Sequence, residues 1–304
     1  MNQEPFYSIN QYNRKIYGEK VYKISLNGGM SCPNRDGTLD TRGCIFCSKG
    51  GSGDFAASGC LSIPEQIEDA IGRISKKYTG NSFIAYFQAF TNTYASVSYL
   101  EKIFTEAIMD SRISGLAIAT RPDCLEPDKV ELLSKLNQIK PVTIELGLQT
   151  TNEATAEYIN RGYSLDVFDD ACHRLNETGL PVVAHMIVGL PGENHNDYLA
   201  TARHIGALKL DGIKIQLLHV LRDTDLADDY SKGKFNVLSL EEYVTTVVDI
   251  IEILPPKMVI HRITGDGPKD LLIAPLWSTN KKNVLNSIMK EFRNRNTYQG
   301  KEYR

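Results

Sequence analysis

Six short runs rich in β-branched and aromatic residues, separated by longer stretches with helical periodicity, constrain this chain more than any other feature. The runs are VYKISL (21–26), FIAYFQ (83–88), GLAIAT (115–120), VTIELGL (142–148), PVVAHMIVGL (181–190) and GIKIQLLHV (212–220). Between them, residues 63–77, 97–110, 127–138, 166–178 and 194–208 are amphipathic, several opened by a good cap or by Pro in the first turn, as in SIPEQIEDAI and EPDKVELLSKL. Parallel neighbours need right-handed crossovers, so six such units predict an α/β fold, either a doubly wound sheet or most of a barrel; periodicity leaves both open. The unusual residues fall after the strands: a cysteine loop after the first, then QAFTNTY, TRPD, QTTN, GLPGE and HVLRD. Both architectures bind ligands at the carboxyl edge of their strands, so six loops should converge on one site. A helix near 240–253, the extended KMVIHRITG and DGPKDLLIAPLWS, leading to a basic helix, read as an extension of the same domain.

The loop SCPNRDGTLDTRGCIFCSKG (31–50) is too rich in Gly, Pro, Asn and Asp for helix or strand, yet it carries half of the six cysteines. Cys32, Cys44 and Cys47 are spaced C-x11-C-x2-C, which lets the last two reach one metal centre from a tight loop and the first close the set. Three thiolates suit an iron–sulfur cube with one open iron. A structural zinc site usually takes four ligands, and the zinc alternative needs Cys60. Cys124 and Cys172 have no thiol partner at metal spacing and read as buried thiols.

The chain has 304 residues, ordinary apolar and charged fractions, and no apolar run near the roughly 18 residues of a membrane span. Its first residues are polar where a secretory signal would be apolar, which predicts a cytoplasmic location with reduced thiols. The net charge of −3 is uneven: residues 281–304 hold seven basic against two acidic side chains, +5, leaving −8 elsewhere. A basic end on an acidic body could hold RNA; the alternative is a solvated helix face whose other side, Val284, Leu285, Ile288, Met289 and Phe292, packs down.

The cysteine loop resembles the cluster loop of radical S-adenosylmethionine enzymes in an elongated form. TRPD (120–123), ELGLQT (145–150) with INRGYS (159–164), and HMIVGLPGE (185–193) are similar, in order, to cofactor segments of the Elp3-like group of that superfamily. The long loop and the tail RITGDGPKDLLIAPLWS resemble the family containing YhcC and YtqA. The resemblance implies a partial (β/α)6 TIM-type barrel over residues 21–262, preceded by an N-terminal basic and aromatic arm (1–20) and followed by a C-terminal extension (263–304). It implies a [4Fe-4S] cluster on Cys32, Cys44 and Cys47, and S-adenosylmethionine bound at the fourth iron and cleaved to a 5'-deoxyadenosyl radical. Phe46 would sit beside the adenine, Gln88, Thr91 and Thr93 beside the methionine moiety, and Gln149 and Arg161 near the ribose and carboxylate. Arg121, Asp123 and His185 are further cofactor-side candidates, and Gly189 with Gly192 would let backbone pass close to the adenine. The Gly-Gly-Glu typical of the methionine-binding segment is absent here.

Members similar to YtqA are linked to transfer RNA wobble uridine, through the step from carboxymethylaminomethyl to aminomethyl uridine. The resemblance therefore implies tRNA as partner, an electron donor such as flavodoxin or ferredoxin, and no membrane. Compatible residues are Arg14 and Lys15 in the tyrosine-rich arm and Lys281, Lys282, Arg293 and Arg295 in the basic helix. Two other classes stay open: a radical enzyme acting on a small molecule or peptide, and a zinc-stabilised RNA-binding module without chemistry.

Overall fold

A computed structural model describes residues 4–51, 53–54, 56–74, 78, 80, 82–265 and 267–304. Seven parallel strands form one sheet: β1 (Tyr22–Leu26), β2 (Phe83–Phe87), β3 (Ile113–Thr120), β4 (Val142–Gln149), β5 (Val182–Val188), β6 (Gly212–Leu217) and, last in the sheet, β8 (Val259–Arg262). Their order in space follows their order in the chain. That excludes a doubly wound sheet, whose strand order reverses at a switch point. The sheet curls into an open half-barrel in which β1 and β8 do not pair.

Alternation along the strands sorts the residues onto two faces. Outward positions, such as Ile24 and Leu26 on β1, Ile144 and Leu146 on β4, and Ile213 and Ile215 on β6, belong to one large apolar core. The crossover helices α2 (Ile63–Ile74), α3 (Val97–Met109), α4 (Pro127–Asn137), α6 (Leu165–Glu177) and α7 (His195–Ala207) contribute Ile67, Phe104, Leu133, Phe168 and Ile205 to it. Many inward positions are small or polar, among them Lys23, Tyr86, Ala117, Ala119, Glu145, Gly147, His185 and Lys214, with Ile84, Val183 and Ile187 as apolar members of the same face. The inner face is thus not the aliphatic filling of a closed barrel.

Several predicted elements change at their ends. The helix expected over 63–77 is α2, with 75–77 outside the described residues. The run 212–220 splits, because β7 (Val220–Leu221) leaves the sheet to pair antiparallel with β9 (Leu272–Ala274). The segment KMVIHRITG supplies β8, a seventh barrel strand. Short helices α5 (Glu153–Tyr158) and α8 (Asp225–Ser231) follow β4 and β7.

The two ends of the chain meet. Tyr7 accepts a bond from the Ile260 amide at 2.9 Å, and its own amide donates to Gln299 at 2.8 Å. From there α1 (Ile9–Tyr17) runs to Tyr17, which packs on Val21, Ile84, Tyr86 and Ala117 inside the barrel. Because Ile260 and Ile84 stand early in their strands, α1 bridges the open side at the amino end. α10 (Lys281–Arg295) lies on α9 (Leu240–Ile253), burying Val284, Ile288 and Phe292. Among the described residues no helix is long and apolar enough to cross a membrane.

Phe104 is fully buried, with its ring edge-on to Phe87 at 4.9 Å. Phe104→Ala should lower the unfolding free energy by about 3–5 kcal/mol, read from urea denaturation. A loss below about 1 kcal/mol would mean that this layer is not packed as described.

Candidate active site

The cysteine loop leaves the carboxyl end of β1 and is fastened by backbone-directed bonds. The Arg35 and Asp36 amides turn back to the Cys32 carbonyl at 2.8 and 3.2 Å, and the Cys47 amide donates to the Cys44 carbonyl at 3.0 Å, closing the x2 turn. Arg35 Nη2 donates to the carbonyls of Cys47 and Ser48 at 3.1 and 2.8 Å. Two asparagines that the sequence reading did not single out tie the loop to the turn after α5. Asn34, fully buried, donates to the Asn160 and Arg161 carbonyls at 2.7 and 3.3 Å and approaches Cys44 Sγ at 3.8 Å. Asn160, at φ 55°, donates to the Gly43 carbonyl at 2.8 Å and to Asp40 at 3.0 Å. Asn is among the few side chains that tolerate this conformation, and its position in INRG was the available signal.

A hydrogen bond with Cys47, burial and the neighbouring thiols hold the Cys44 thiol well above its usual range. Thiols that oppose one another's ionisation are relieved by a cationic metal centre. Among the described residues no three His, Cys, Asp or Glu side chains are grouped to hold one metal ion. Cys60 is exposed and outside the cavity, so the zinc alternative lacks its fourth ligand. Cys124 and Cys172 are buried elsewhere, and burial pushes both thiols up to about 12.

A cavity opens beside the three cysteines and runs into the half-barrel. Cys32, Cys44, Phe46, Cys47, Gln88, Thr91, Arg121, Gln149, Arg161 and His185 line it. Gln149 ends β4 at φ 69°, a conformation unusual for a non-glycine residue, and its buried side-chain oxygen has no partner. Gly147 makes room, since a Cβ there would stand 2.7 Å from Gln149 Nε2. Four expected contacts fall outside the lining. The Thr93 hydroxyl is fully buried between Thr120 and the Cys124 carbonyl, at 2.6 and 2.5 Å. Asp123 is turned to Arg121 in a bidentate pair of 2.9 and 2.7 Å. Gly189 and Gly192 are both absent from its walls, and a Cβ on Gly189 would meet Leu238 and Leu218.

The two arginines serve mainly as girders. Arg161 donates to the carbonyls of Tyr163, Leu148 and Thr150 at 2.8, 3.2 and 2.7 Å, and to Glu153 at 2.9 Å, so most of its donors are occupied. Arg121 donates to the Arg161 carbonyl at 2.9 Å. Both guanidinium groups lie over the ring of Tyr163, at 4.8 and 4.9 Å, and its hydroxyl donates to the Gly147 carbonyl at 2.6 Å. Tyr163 is thus a wall of the cavity that the sequence did not reveal.

His185 meets Glu145 at 2.9 Å, deep in the barrel. Burial, with Lys214 nearby, lowers its pKa to about 4. Burial opposes ionisation of Glu145, but Lys214, Lys23 and His185 outweigh it and hold the carboxyl well below its usual range.

Two family models fit this architecture: one of the Radical SAM superfamily matches residues 41–205, and one of the Radical_SAM C-terminal domain matches residues 210–294. The chain belongs to the radical SAM superfamily. Protein YtqA of Bacillus subtilis (strain 168) is 45% identical over 296 residues, covering 97% of this chain and 92% of that protein. Protein YhcC of Escherichia coli (strain K12) is 37% identical over 266 residues, covering 87% and 85%. The solved structure of Methanocaldococcus infernus Elp3 superposes with a TM-score of 0.70 at 17% identity, over 92% of this chain and 64% of that one, a likeness of fold.

Membership in the radical SAM superfamily implies S-adenosylmethionine and a [4Fe-4S] cluster, and the residues present fit both. Cys32, Cys44 and Cys47 line one cavity without being grouped for a single ion, which fits a multi-iron cluster rather than a lone metal, and the unpartnered Gln149 oxygen in the cavity wall fits a polar ligand. Of the basic residues expected to meet RNA, Lys281, Lys282 and Arg293 are exposed on α10. Arg295 is engaged by Glu291 at 2.6 Å and by Asp249, so its charge is already balanced. Arg14 and Lys15 are exposed on α1, at the end of the barrel opposite the cysteine loop.

The depressed pKa of His185 sets a sign. Its neutral form is the stable one in the fold, so stability is full above its unfolded value near 6.5 and is lost as pH falls toward 4. His185→Gln should show a smaller drop in urea midpoint between pH 7 and pH 5 than the unchanged protein. Equal drops would remove His185 from the account.

Proposed function

We propose that this radical SAM protein acts on transfer RNA, converting 5-carboxymethylaminomethyl(-2-thio)uridine at wobble position 34 to 5-aminomethyl(-2-thio)uridine. The observation that carries the catalytic part is the trio Cys32, Cys44 and Cys47 held at the mouth of a polar half-barrel. When bound, the [4Fe-4S] cluster and S-adenosylmethionine would supply a 5'-deoxyadenosyl radical for hydrogen abstraction, with flavodoxin or ferredoxin as the donor that primes the cluster. In net terms the N–CH2 bond of the carboxymethyl group breaks, water supplies the oxygen with which the two-carbon unit leaves as glyoxylate, and the two electrons released are taken up as S-adenosylmethionine becomes methionine and 5'-deoxyadenosine. Asn34, Asn160 and Arg35 keep the thiols in place; Phe46, Gln149 and Tyr163 give the cofactor an aromatic edge, a hydrogen-bonding amide and a rigid wall. The small inward residues Ala119 and Gly147 leave room for a substituent to enter the barrel.

The tRNA substrate is supported by the family resemblance and by the exposed cations of α10. Lys281, Lys282 and Arg293 can meet backbone phosphates, and Phe90, at the cavity wall, can stack on a splayed base.

Cells lacking the protein should accumulate carboxymethylaminomethyl uridine in their tRNA and lose the aminomethyl form, as read by nucleoside mass spectrometry. Cys44→Ala should reproduce that profile and leave the purified protein with no bound iron. Cys172→Ala should retain iron and the normal nucleosides. An unchanged nucleoside profile would remove the tRNA assignment, and a colourless protein that does not cleave S-adenosylmethionine after anaerobic reconstitution would favour the zinc alternative.

A further inference from the structure

The middle layer of the barrel interior is ionic. Lys23 on β1 and Lys214 on β6 converge on Glu145 of β4, one ammonium on each carboxylate oxygen. His185 of β5 shares the second oxygen at 2.9 Å. Lys214 also donates to the Tyr86 hydroxyl at 3.0 Å, and the two ammonium groups lie 4.9 and 4.5 Å from the Tyr86 ring. Arg262 of β8 lines the same cavity. Glu145 is 1% exposed and Lys214 4%.

Stability alone does not account for this layer. Buried ions are costly, and an aliphatic layer of similar volume would serve the fold as well or better. The stoichiometry is also unequal, since one carboxylate faces two lysines. Of the cations in this layer, Lys214 and Arg262 line the cavity that reaches the cysteine loop, and Lys23 balances Glu145 from outside its walls. Lys214 and His185 stand three residues before the ends of their strands, and Glu145 four. At about 3.3 Å per residue the layer lies roughly 10 Å below the carboxyl edge, a depth that suits a narrow arm rather than a nucleobase.

We propose that Lys214, with Arg262, forms a carboxylate-binding subsite that receives the terminal carboxylate of the substrate's carboxymethylaminomethyl arm. This rests on the wobble-uridine reading for the identity of the arm. Glu145 and Tyr86 hold the lysines in register. Burial lowers the Lys214 pKa to about 7, and an incoming anion favours its charged form. Substrate and product arms both carry an ammonium, and only the substrate balances it with a carboxylate that Lys214 and Arg262 attract, so the subsite favours substrate over product.

The test uses the cluster-loaded protein saturated with S-adenosylmethionine and two pairs of probes. One pair is an anticodon stem-loop bearing carboxymethylaminomethyl uridine and the same RNA with the carboxylate replaced by carboxamide. The other is N-methylglycine and N-methylglycinamide. Calorimetry should show a preference for the carboxylate of about tenfold in both pairs. Lys214→Gln and Arg262→Gln should each reduce it, and Lys214→Arg should keep it. RNA that binds without preference for the carboxylate would overturn the subsite and leave the tRNA reading standing. A Lys214-dependent preference for N-methylglycine with no RNA binding would support the subsite and remove the tRNA reading. No preference in either pair overturns the subsite. So does a Lys214→Gln variant that weakens S-adenosylmethionine and keeps the preference, which would assign the layer to the cofactor.

Discussion

Side chains alternate across a strand, so each strand of a parallel sheet offers one row to its helices and another to the barrel interior. The rest of this structure depends on how unlike those rows are. The outer row, Ile24, Leu26, Ile144, Leu146, Ile213 and Ile215, fuses with the helices into one core. The inner row, Lys23, Glu145, Gly147, His185 and Lys214, cannot collapse on itself without burying uncompensated charge. The half-barrel therefore keeps a polar cavity above a small apolar cluster of Val21, Ile84, Tyr86 and Ala117, and the open edge between β1 and β8 is bridged at the amino end by α1.

The cavity becomes a chemical site because the cysteine loop is not free to move. A loop of this composition has much backbone entropy to lose. Asn34 and Asn160 oppose that loss by joining it to the turn after α5, which Arg161 in turn fastens to the end of β4. The arginines of TRPD and INRGYS, which look like ligand-binding residues in sequence, give most of their donors to carbonyls and to Asp123 and Glu153. Their observed work is to hold Tyr163 and the β4 bulge in place.

Legibility in the sequence varied with the range of the interaction. The strands and helices were visible because their periodicity is local, and the three thiols because their spacing and loop composition are. Thr93 misled, since its hydroxyl is consumed by a 2.5 Å bond to the Cys124 carbonyl, 31 residues away. Arg295 misled for a like reason: Asp249, on a different helix, neutralises it. Tyr163 was missed because its position between two arginines exists only after β3 and β4 have paired.

The sequence by itself determined the βα repeat, the apolar face of each strand and the C-x11-C-x2-C trio, all set by spacing along one stretch of chain. Only the tertiary structure decided that the sheet is singly wound, because strand order is a matter of pairing between distant segments. It alone decided that Lys23, Glu145, His185 and Lys214, of which only His185 stood out in its own strand, meet in one layer. Curling the sheet converges its inward side chains on a common axis, and no local periodicity records that convergence.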